Sequence, residues 1–456
     1  MTNRIILGAL RQVTIGHTTQ GFWRHPLSQA HRYNEVDYWI EVAQILDRGS
    51  FDFLFFADVV GALDTYAGSP AVPLRTATEI PMADPVVLLP ALAQATNRLS
   101  FAVTASTTYE KPYLLARTFA SLDHFTHGRI GWNVVTSALE SAARNLGYDR
   151  QISKDERYDI AEEFLEVSYK LWEGSWADDA VQRDKTAGVF TDPTRVRPIE
   201  HRGRYFEVPG IALTEPSPQR TPVIIQAGAS SRGRDFAAQH AEGVFLVSDR
   251  PEHARTAGDD IRSRAVKAGR PADAVKLLSM VTVVVAPTSE EAHRKLADFR
   301  SYFDYEAELA QLSALFGIDL SQVDPDLPLK NAETEAIQGM LDLYTSVDAE
   351  REWTTRQIAE LNNFGGAGPV FVGDPVEVAD ALERWLDETG VDGFNIADPI
   401  PPVLARDFVD LVVPELRGRG LVDAEDTAPV TFRERLNGEG ASRTRGEEHP
   451  SARYRW

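Results

Sequence analysis

Short apolar runs alternate along the chain with amphipathic stretches of helical length. Near-continuous apolar runs are typical of parallel strands that are covered on both faces, and the runs of this kind lie at 5–13, 51–57, 99–106, 129–136, 221–227, 243–248, 277–286 and 393–397. Helical patterns lie at 35–49, 84–96, 112–128, 155–172, 232–241, 251–267, 289–302, 374–389 and 405–417. Eight strand-then-helix units predict an α/β fold, and they favour a closed TIM (β/α)8 barrel over an open sheet.

Four stretches depart from this rhythm. Residues 60–84 are rich in Gly, Pro, Ala and Thr, and they indicate a long loop of the kind that often carries function. Residues 174–220 and 303–368 are interpreted as insertions into one barrel domain that spans residues 1–430, and the second insertion could act as a lid. The charged residues 431–456 predict a surface tail.

Composition narrows the class of protein. The chain has no cysteine among its 456 residues, which excludes disulfides, thiolate metal sites and cysteine nucleophiles. A formal net charge of −21 argues against a nucleic-acid binder. The N-terminal apolar run resembles a first strand rather than a signal peptide, and no run approaches the roughly 20 residues of a membrane span. These features predict a cytoplasmic protein that binds neither nucleic acid nor membrane.

Polar side chains stand where several predicted strands end, which is where α/β folds place their chemistry. Thr104 and Asn133 end two neighbouring strands, and His17 follows the first strand. Asp58 closes the second strand, where its carboxylate could accept hydrogen bonds from a ligand or could simply cap a turn.

A second candidate site is the turn after the fifth strand. Ser230 and Ser231 precede a helix, and their hydroxyls together with backbone N–H groups could hold a phosphate, although serine is also a common helix cap. Lys154 and Tyr158 are four residues apart and share one face of a helix start, which fits either a binding surface or a solvated face.

Several other sites are not predicted. The histidines at 124 and 127 lie in the last turn of a helix, where they complement the helix dipole, and no metal-binding pattern surrounds them. The chain lacks a G-x-G-x-x-G motif after a strand, a P-loop and a G-x-S-x-G elbow. A tightly bound nicotinamide dinucleotide is therefore not expected.

Six ordered motifs resemble one known family. They are FFAD at 55–58, ASTTYEKPYLLARTFASLDH at 105–124, GRIGWNVVTS at 128–137, DERYDIAEEFLEV at 155–167, SSRGRDFAAQHAEGVF at 230–245 and DGFNIA at 392–397. Together they resemble the nitrilotriacetate and dibenzothiophene-sulfone monooxygenase branch of the bacterial-luciferase-like flavoproteins. The resemblance extends over about residues 5–435.

The resemblance implies a luciferase-like TIM barrel that binds reduced FMN, supplied by a separate NAD(P)H:flavin reductase. With O2 as co-substrate, a flavin peroxide would transfer one oxygen atom to a small organic molecule. A homodimer or homotetramer is also implied. Two alternatives stay open: hydride transfer with a deazaflavin, as elsewhere in the superfamily, and flavin binding without catalysis.

Cofactor-binding residues follow from the same resemblance. Asp58 and Thr104 match positions beside the flavin ring, and Tyr158 matches one on the ribityl-phosphate side. Ser230 matches the phosphate ligand, with Ser231 beside it.

Lys154 stands where the family commonly has histidine. A lysine could still meet a phosphate as a point charge, but it could not act as a neutral imidazole. The implied catalytic residues are Thr104, near the oxygen chemistry, and His17 and Asn133, which would border the space in front of the ring together with Phe56. No residue is predicted to be an obligatory general base.

The substrate is not predicted beyond its general character. No dense basic cluster suited to a polycarboxylate is found in the sequence, and the aromatic residues Phe22, Trp23, Phe56 and Tyr66 hint at an apolar or aromatic ligand.

Overall fold

The computed structural model of the protein describes residues 4–228, 230–329, 352–424, 428–438, 442 and 446–456. Its centre is a barrel of eight parallel strands: β1 Ile6–Gln12, β2 Phe53–Ala57, β3 Ser100–Ser106, β4 Ile130–Val135, β5 Val223–Gln226, β6 Gly243–Leu246, β7 Lys276–Val285 and β8 Gly393–Ala397. Neighbours pair in the order β6-β5-β4-β3-β2-β1-β8-β7, and pairing of β6 with β7 closes the ring. The predicted TIM barrel is confirmed, because these strands are the eight predicted apolar runs.

Alternation along each strand divides the apolar residues into two layers. Inward side chains such as Leu10, Phe55 and Phe245 fill the barrel, and the Phe55 and Phe245 rings stack with centroids 4.4 Å apart. Outward side chains join a larger core between the strands and the surrounding helices. This two-sided burial explains why the strands read as almost continuous apolar runs.

The helices surround the barrel. They are α1 Val36–Arg48, α2 Ala71–Thr76, α3 Leu89–Ala95, α4 Pro112–Phe125, α5 Glu140–Asn145, α6 Lys154–Tyr169, α7 Ser231–His240, α8 Pro251–Lys267, α9 Ser289–Arg300, α10 Tyr305–Phe316, α11 Thr355–Asn362, α12 Pro375–Thr389, α13 Val403–Asp407, α14 Val413–Gly418 and α15 Phe432–Asn437. Sequence-encoded caps begin several of them: Asp374, for example, forms a capping box with Glu377 at the start of α12. Within the described residues, no helix is both long enough and apolar enough to cross a membrane.

Some elements had no prediction, among them α5 and a strand outside the ring. A strand at Val370–Gly373 pairs in parallel with the last residues of β7, outside the closed ring. Its four residues follow a glycine-rich stretch and are mostly half-buried, so its apolar signal is weak. The segment 60–84 is also more ordered than a plain loop, because it contains α2.

The prediction that residues 431–456 form a surface tail is wrong for α15. α15 lies at the amino ends of the strands, and its Phe432 is fully buried with the inward-facing barrel residues. Arg433 is also buried, and its Nε lies 2.6 Å from a carboxylate oxygen of Glu242. The charged composition concealed this packing, because two apolar residues in one short helix are enough to close the barrel end.

The two insertions differ in structure. Residues 174–220 carry two short antiparallel hairpins, Val181–Asp184 with Val189–Thr191 and His201–Arg202 with Glu207–Val208. The described residues 303–329 and 352–368, which we call the cap, contain α10 and α11 around a small apolar core of their own. Tyr66 packs against that core, and Arg75 forms an ion pair with Glu306, so the cap and residues 60–84 pack together.

Candidate functional site

The predicted site residues of the barrel lie on one rim. Thr104 of β3 stands opposite Asn133 of β4, and Asn133 stands opposite Ile225 of β5. On the other side, Gln12 of β1 pairs with Ala57 of β2. Because parallel strands all end on the same side of a barrel, residues 104, 133, 226–228 and 230 border one opening.

Thr104 and Asn133 form a hydrogen-bonded floor in this opening. The Thr104 hydroxyl donates to the carbonyl of Phe56 over 3.0 Å, and it accepts from Asn133 Nδ2 over 2.9 Å. Both side chains are buried. In the described part of the chain, Asn133 Oδ1 and Gln12 Oε1 are buried acceptors without a partner. Buried acceptors of this kind usually meet a donor, so the floor is ready to receive donors from a ligand.

The prediction that the Phe56 side chain borders the opening is wrong. Its ring points away from the opening and lies 5.3 Å, centroid to centroid, from the Trp39 ring of α1. Only its backbone carbonyl reaches the floor, as the acceptor for Thr104. Strand alternation explains this, because Phe55 takes the inward position next to it.

A notch lies beside the floor at the start of α7. Ser230 caps this helix by accepting from the N–H of Gly233 over 3.2 Å. The Tyr158 hydroxyl lies against the same turn, because a Cβ atom on Gly228 or Gly233 would come within 2.9 Å or 2.7 Å of it. Burial raises the pKa of Tyr158, while hydrogen bonds with Ser230 and Gln226 oppose that rise. We call Tyr158, Gln226, Gly228, Ser230 and Gly233 the notch.

Four side chains near the notch are not part of it. Lys154 is exposed at the first turn of α6. The Ser231 hydroxyl lies 3.3 Å from Arg264 Nη1 of α8, and no contact joins it to Tyr158 among the described residues. Arg232 and Arg234 form ion pairs with aspartates, over 3.2 Å and 3.0 Å respectively. The structure therefore brings Tyr158 and Ser230 together, but it does not bring the Ser231 side chain to them.

Asp58 and His17 stand on the opposite side of the opening from the notch. Asp58 directly follows β2, and its burial, with a contribution from the charge of Asp84, raises its pKa to about 6. Burial and the nearby charge of Arg11 lower the pKa of His17 to about 4. His17 is therefore a neutral imidazole at neutral pH. It lines a cavity together with Trp23.

The two histidines that were considered as metal ligands do not form a metal site in the described residues. His124 Nε2 lies 3.1 Å from the carbonyl oxygen of Glu215. His127 takes a left-handed backbone conformation just after α4, with φ of 56°. No group of three or more His, Asp or Glu residues suited to a metal is found within the described ranges.

The sequence missed several polar residues of the opening. Gln12 and Gln226 end their strands, so the rule that found Thr104 and Asn133 could also have found them. Glu79 and Glu308 had no such signal, because one lies in an irregular segment and the other in an insertion. Burial raises the pKa of these two carboxyls to about 7 and about 8.

Comparisons with known proteins agree with this geometry. The profile of the luciferase-like monooxygenases matches residues 14–393. The chain is 48% identical over 456 residues to a dimethyl-sulfide monooxygenase from Hyphomicrobium sulfonivorans, covering all of this chain and 94% of that protein. It is 46% identical over 461 residues to a long-chain alkane monooxygenase from Geobacillus thermodenitrificans, covering 100% and 99%. A nitrilotriacetate monooxygenase component A from Aminobacter aminovorans is 37% identical, covering 92% and 95%.

Solved structures give the same result. The crystal structure of a long-chain alkane monooxygenase superposes with a TM-score of 0.92 at 45% identity, and both chains are covered completely. A riboflavin lyase, solved with modified FMN and riboflavin, gives a TM-score of 0.90 at 38% identity, covering 99% of this chain and 100% of that chain. The resemblance in the motifs is thereby confirmed: the chain belongs to the luciferase-like monooxygenase family, and it is a flavin-dependent monooxygenase.

Proposed function

We propose that this protein is the oxygenase component of a two-component system. It takes reduced FMN from a separate NAD(P)H:flavin reductase and uses O2 to place one oxygen atom on a small organic substrate. The observation that carries this proposal is the continuous register from Thr104 through Asn133 to Ile225, which joins the floor to the notch along a single rim. A molecule with a polar ring at one end and a phosphate at the other could bind the floor with its ring and the notch with its phosphate.

The residues present fit FMN. The notch combines the positive end of a ten-residue helix with the Ser230 and Tyr158 hydroxyls, which suits a phosphate. The floor offers the unpartnered acceptors Asn133 Oδ1 and Gln12 Oε1, which suit the N–H groups of a reduced flavin ring. Lys154 would add a positive charge at the solvent edge, and Ser231 would contribute its backbone N–H.

Reduced FMN supplies the electrons that activate O2, and the chain supplies position and shelter. Thr104 and Asn133 fix the floor through their mutual hydrogen bond. His17 and Asp58 border the reaction space. His17 is neutral at pH 7, so it can donate or accept one hydrogen bond without adding a charge. The cap and residues 60–84 would exclude water from this space.

Relatives support the general chemistry and leave the substrate open. Their names include monooxygenases of dimethyl sulfide, long-chain alkanes and nitrilotriacetate, which share little beyond being small organic molecules. A relative solved with modified FMN supports this flavin rather than a deazaflavin. We also propose a homodimer or homotetramer, as the family resemblance implies.

A direct test supplies the purified protein with FMNH2 from a flavin reductase, in air, with a panel of candidate substrates. Mass spectrometry then looks for a product that gains one oxygen atom. We expect incorporation of 18O from 18O2, and none when the reductase is omitted. A substrate that gains two hydrogen atoms with reduced deazaflavin, and no oxygenated product with FMNH2, would favour hydride transfer instead. FMN that binds without any product across the panel would favour the non-catalytic alternative.

A further inference from the structure

A group of buried and half-buried acceptors lies where the cap meets the barrel mouth. It consists of Gln20 after β1, Glu79 in segment 60–84, and Glu308 and Gln311 on α10, and we call it the acceptor cluster. Glu308 and Gln311 are three residues apart, so they share one face of α10. Three separate parts of the chain therefore contribute polar side chains to one place.

The hydrogen bonds in this cluster run in one direction. Gln20 Nε2 donates to Gln311 Oε1 over 2.6 Å, and Gln311 Nε2 donates to Glu79 Oε1 over 3.1 Å. Each of the two amide nitrogens thus donates one hydrogen bond to another member of the cluster. The buried atoms of the cluster that lack a partner within the described residues are oxygens.

Those oxygens lack donors. Gln20 is fully buried and Glu308 is 2% exposed, yet neither Gln20 Oε1 nor Glu308 Oε2 has a hydrogen-bond partner among the residues that the structure describes. No salt bridge in the described ranges joins Glu79 or Glu308 to a basic side chain. A buried acceptor without a donor is destabilising, and more so when it is charged, so a donor from outside the chain would be bound favourably.

The backbone around Glu79 supports a role in binding. Glu79 adopts a left-handed conformation with φ of 53°, which is uncommon for a residue other than glycine, and its N–H donates to the carbonyl of Gly16 over 2.9 Å. This bond ties Glu79 to the turn that carries His17. Strained backbone of this kind is often kept where it positions a functional side chain.

The electrostatics at this end of the opening are acidic. Burial, followed by the charge of the neighbouring carboxylate, raises the pKa values of both glutamates: Asp58 acts on Glu79, and Glu79 acts on Glu308. Apart from one another and Asp58, the groups found facing these two carboxyls within the described ranges are the amides of Gln311 and Asn362. At pH 7, Glu79 is therefore about half ionised and Glu308 is mostly protonated. A bound cation would lower both pKa values and draw the two groups into the carboxylate form, whereas a carboxylate ligand would raise them, so a cation is favoured here and a carboxylate is disfavoured.

We propose that the acceptor cluster selects the substrate by its far end, and that the preferred substrate carries a protonated amine or, less strongly, a hydroxyl group there. This inference rests on the proposed monooxygenase function and refines it. It narrows the apolar or aromatic ligand suggested by the sequence to one with an apolar body and a donor at its end. It also disfavours polycarboxylates such as nitrilotriacetate, although a relative carries that name.

The test measures binding, so it does not depend on turnover. Protein saturated with oxidised FMN is titrated by calorimetry at pH 7 with three probes of equal length: hexylammonium, 1-hexanol and hexanoate. We expect hexylammonium to bind about ten- to a hundredfold more tightly than hexanoate, with 1-hexanol between them, since hydrogen bonds to charged groups are worth about 1.5–3 kcal/mol. Equal affinities, tighter hexanoate binding or no binding of any probe would each overturn the inference.

Variants of the two glutamates test whether the acceptor cluster causes this order of probe affinities. Glu79→Gln and Glu308→Gln should each weaken hexylammonium about tenfold, while flavin fluorescence reports unchanged FMN affinity. Glu306→Gln is the matched control, because Glu306 lies on the same helix but pairs with the exposed Arg75. An unchanged preference in both cluster variants would mean that the cluster only holds the cap in place, and the inference would fail. The wild-type order is itself decisive should a variant not fold.

The two proposals fail separately. A preserved order of affinities without oxygen incorporation from FMNH2 would remove the proposed function only. Oxygen incorporation without the order would remove the selection of substrates.

Discussion

The two sides of the opening use different types of side chain. On one side, the floor and the notch use neutral hydroxyls and amides, and most of them stand on or directly after barrel strands. On the other side, the acceptor cluster uses carboxyls, and they come from segment 60–84 and the cap. Strand positions are fixed by the ring of hydrogen bonds, whereas inserted segments can change without disturbing it. The strand side therefore suits an invariant cofactor, and the inserted side suits a substrate that differs between relatives.

The largest expected effect comes from filling the notch. In Gly233→Ala, the new Cβ would lie 2.7 Å from the Tyr158 hydroxyl and 3.1 Å from the Gly228 Cα. Overpacking of this kind costs about 1–3 kcal/mol, so FMN affinity should fall about ten- to a hundredfold in a fluorescence titration. Gly418→Ala is the control, because nothing lies within 4 Å of its added Cβ. No loss in Gly233→Ala would place the phosphate elsewhere.

A second prediction separates chemistry from binding at the floor. Thr104→Val keeps the shape of the side chain but removes the hydroxyl that bridges Phe56 and Asn133. We expect the yield of oxygenated product per O2 consumed to fall about tenfold, with FMN affinity changed less than about threefold. Thr118→Val on the outer helix α4 should have no effect. Full coupled turnover in Thr104→Val would remove Thr104 from the oxygen chemistry.

The cap should loosen as the pH rises. Burial raises the pKa of Glu308 from 4.5 to about 8. Between these values the closed cap holds a proton that an opened cap releases, so the stability of the closed form decreases with increasing pH through this window. Amide exchange of residues 305–316, corrected for its intrinsic pH dependence, should show about tenfold less protection at pH 8.5 than at pH 6.

The matched variants sharpen this measurement. Glu308→Gln cannot ionise, so its protection should be nearly independent of pH. Glu306→Gln should keep the wild-type dependence. A pH profile that is flat in the wild type would mean that Glu308 does not report on cap closure.

The smallest expected effect is at Lys154. Its side chain is exposed, and interactions between exposed charges contribute about 0.2–1 kcal/mol. Lys154→Ala should weaken FMN binding about two- to fivefold at low salt and have almost no effect at high salt, because exposed charges are screened. Lys185→Ala, an exposed lysine in a hairpin of residues 174–220, is the control. A loss as large as that of Gly233→Ala would mean that Lys154 closes over the phosphate.

Prediction from the sequence succeeded where the signal was local. Each barrel strand is a run of apolar residues, and its meaning does not depend on distant parts of the chain. Thr104 and Asn133 were predicted to border the opening because they stand near the ends of such runs, and Ser230 because it follows one after a short turn; their roles stay predictions. Phe56 was misplaced by one step of the strand alternation, since the sequence shows that both Phe55 and Phe56 are buried but not which of them faces inward.

The sequence by itself determined the barrel, its order of strands and helices, and the polar positions at the strand ends, because these follow from hydrophobic periodicity over a few residues. Only the tertiary structure decided that Phe432 closes the barrel from a charged C-terminal segment. It alone also brought Gln20, Glu79 and Gln311 together. Residues as far apart as 20 and 311 meet only when the ring is closed and the cap is packed on it, and no local pattern records that distance.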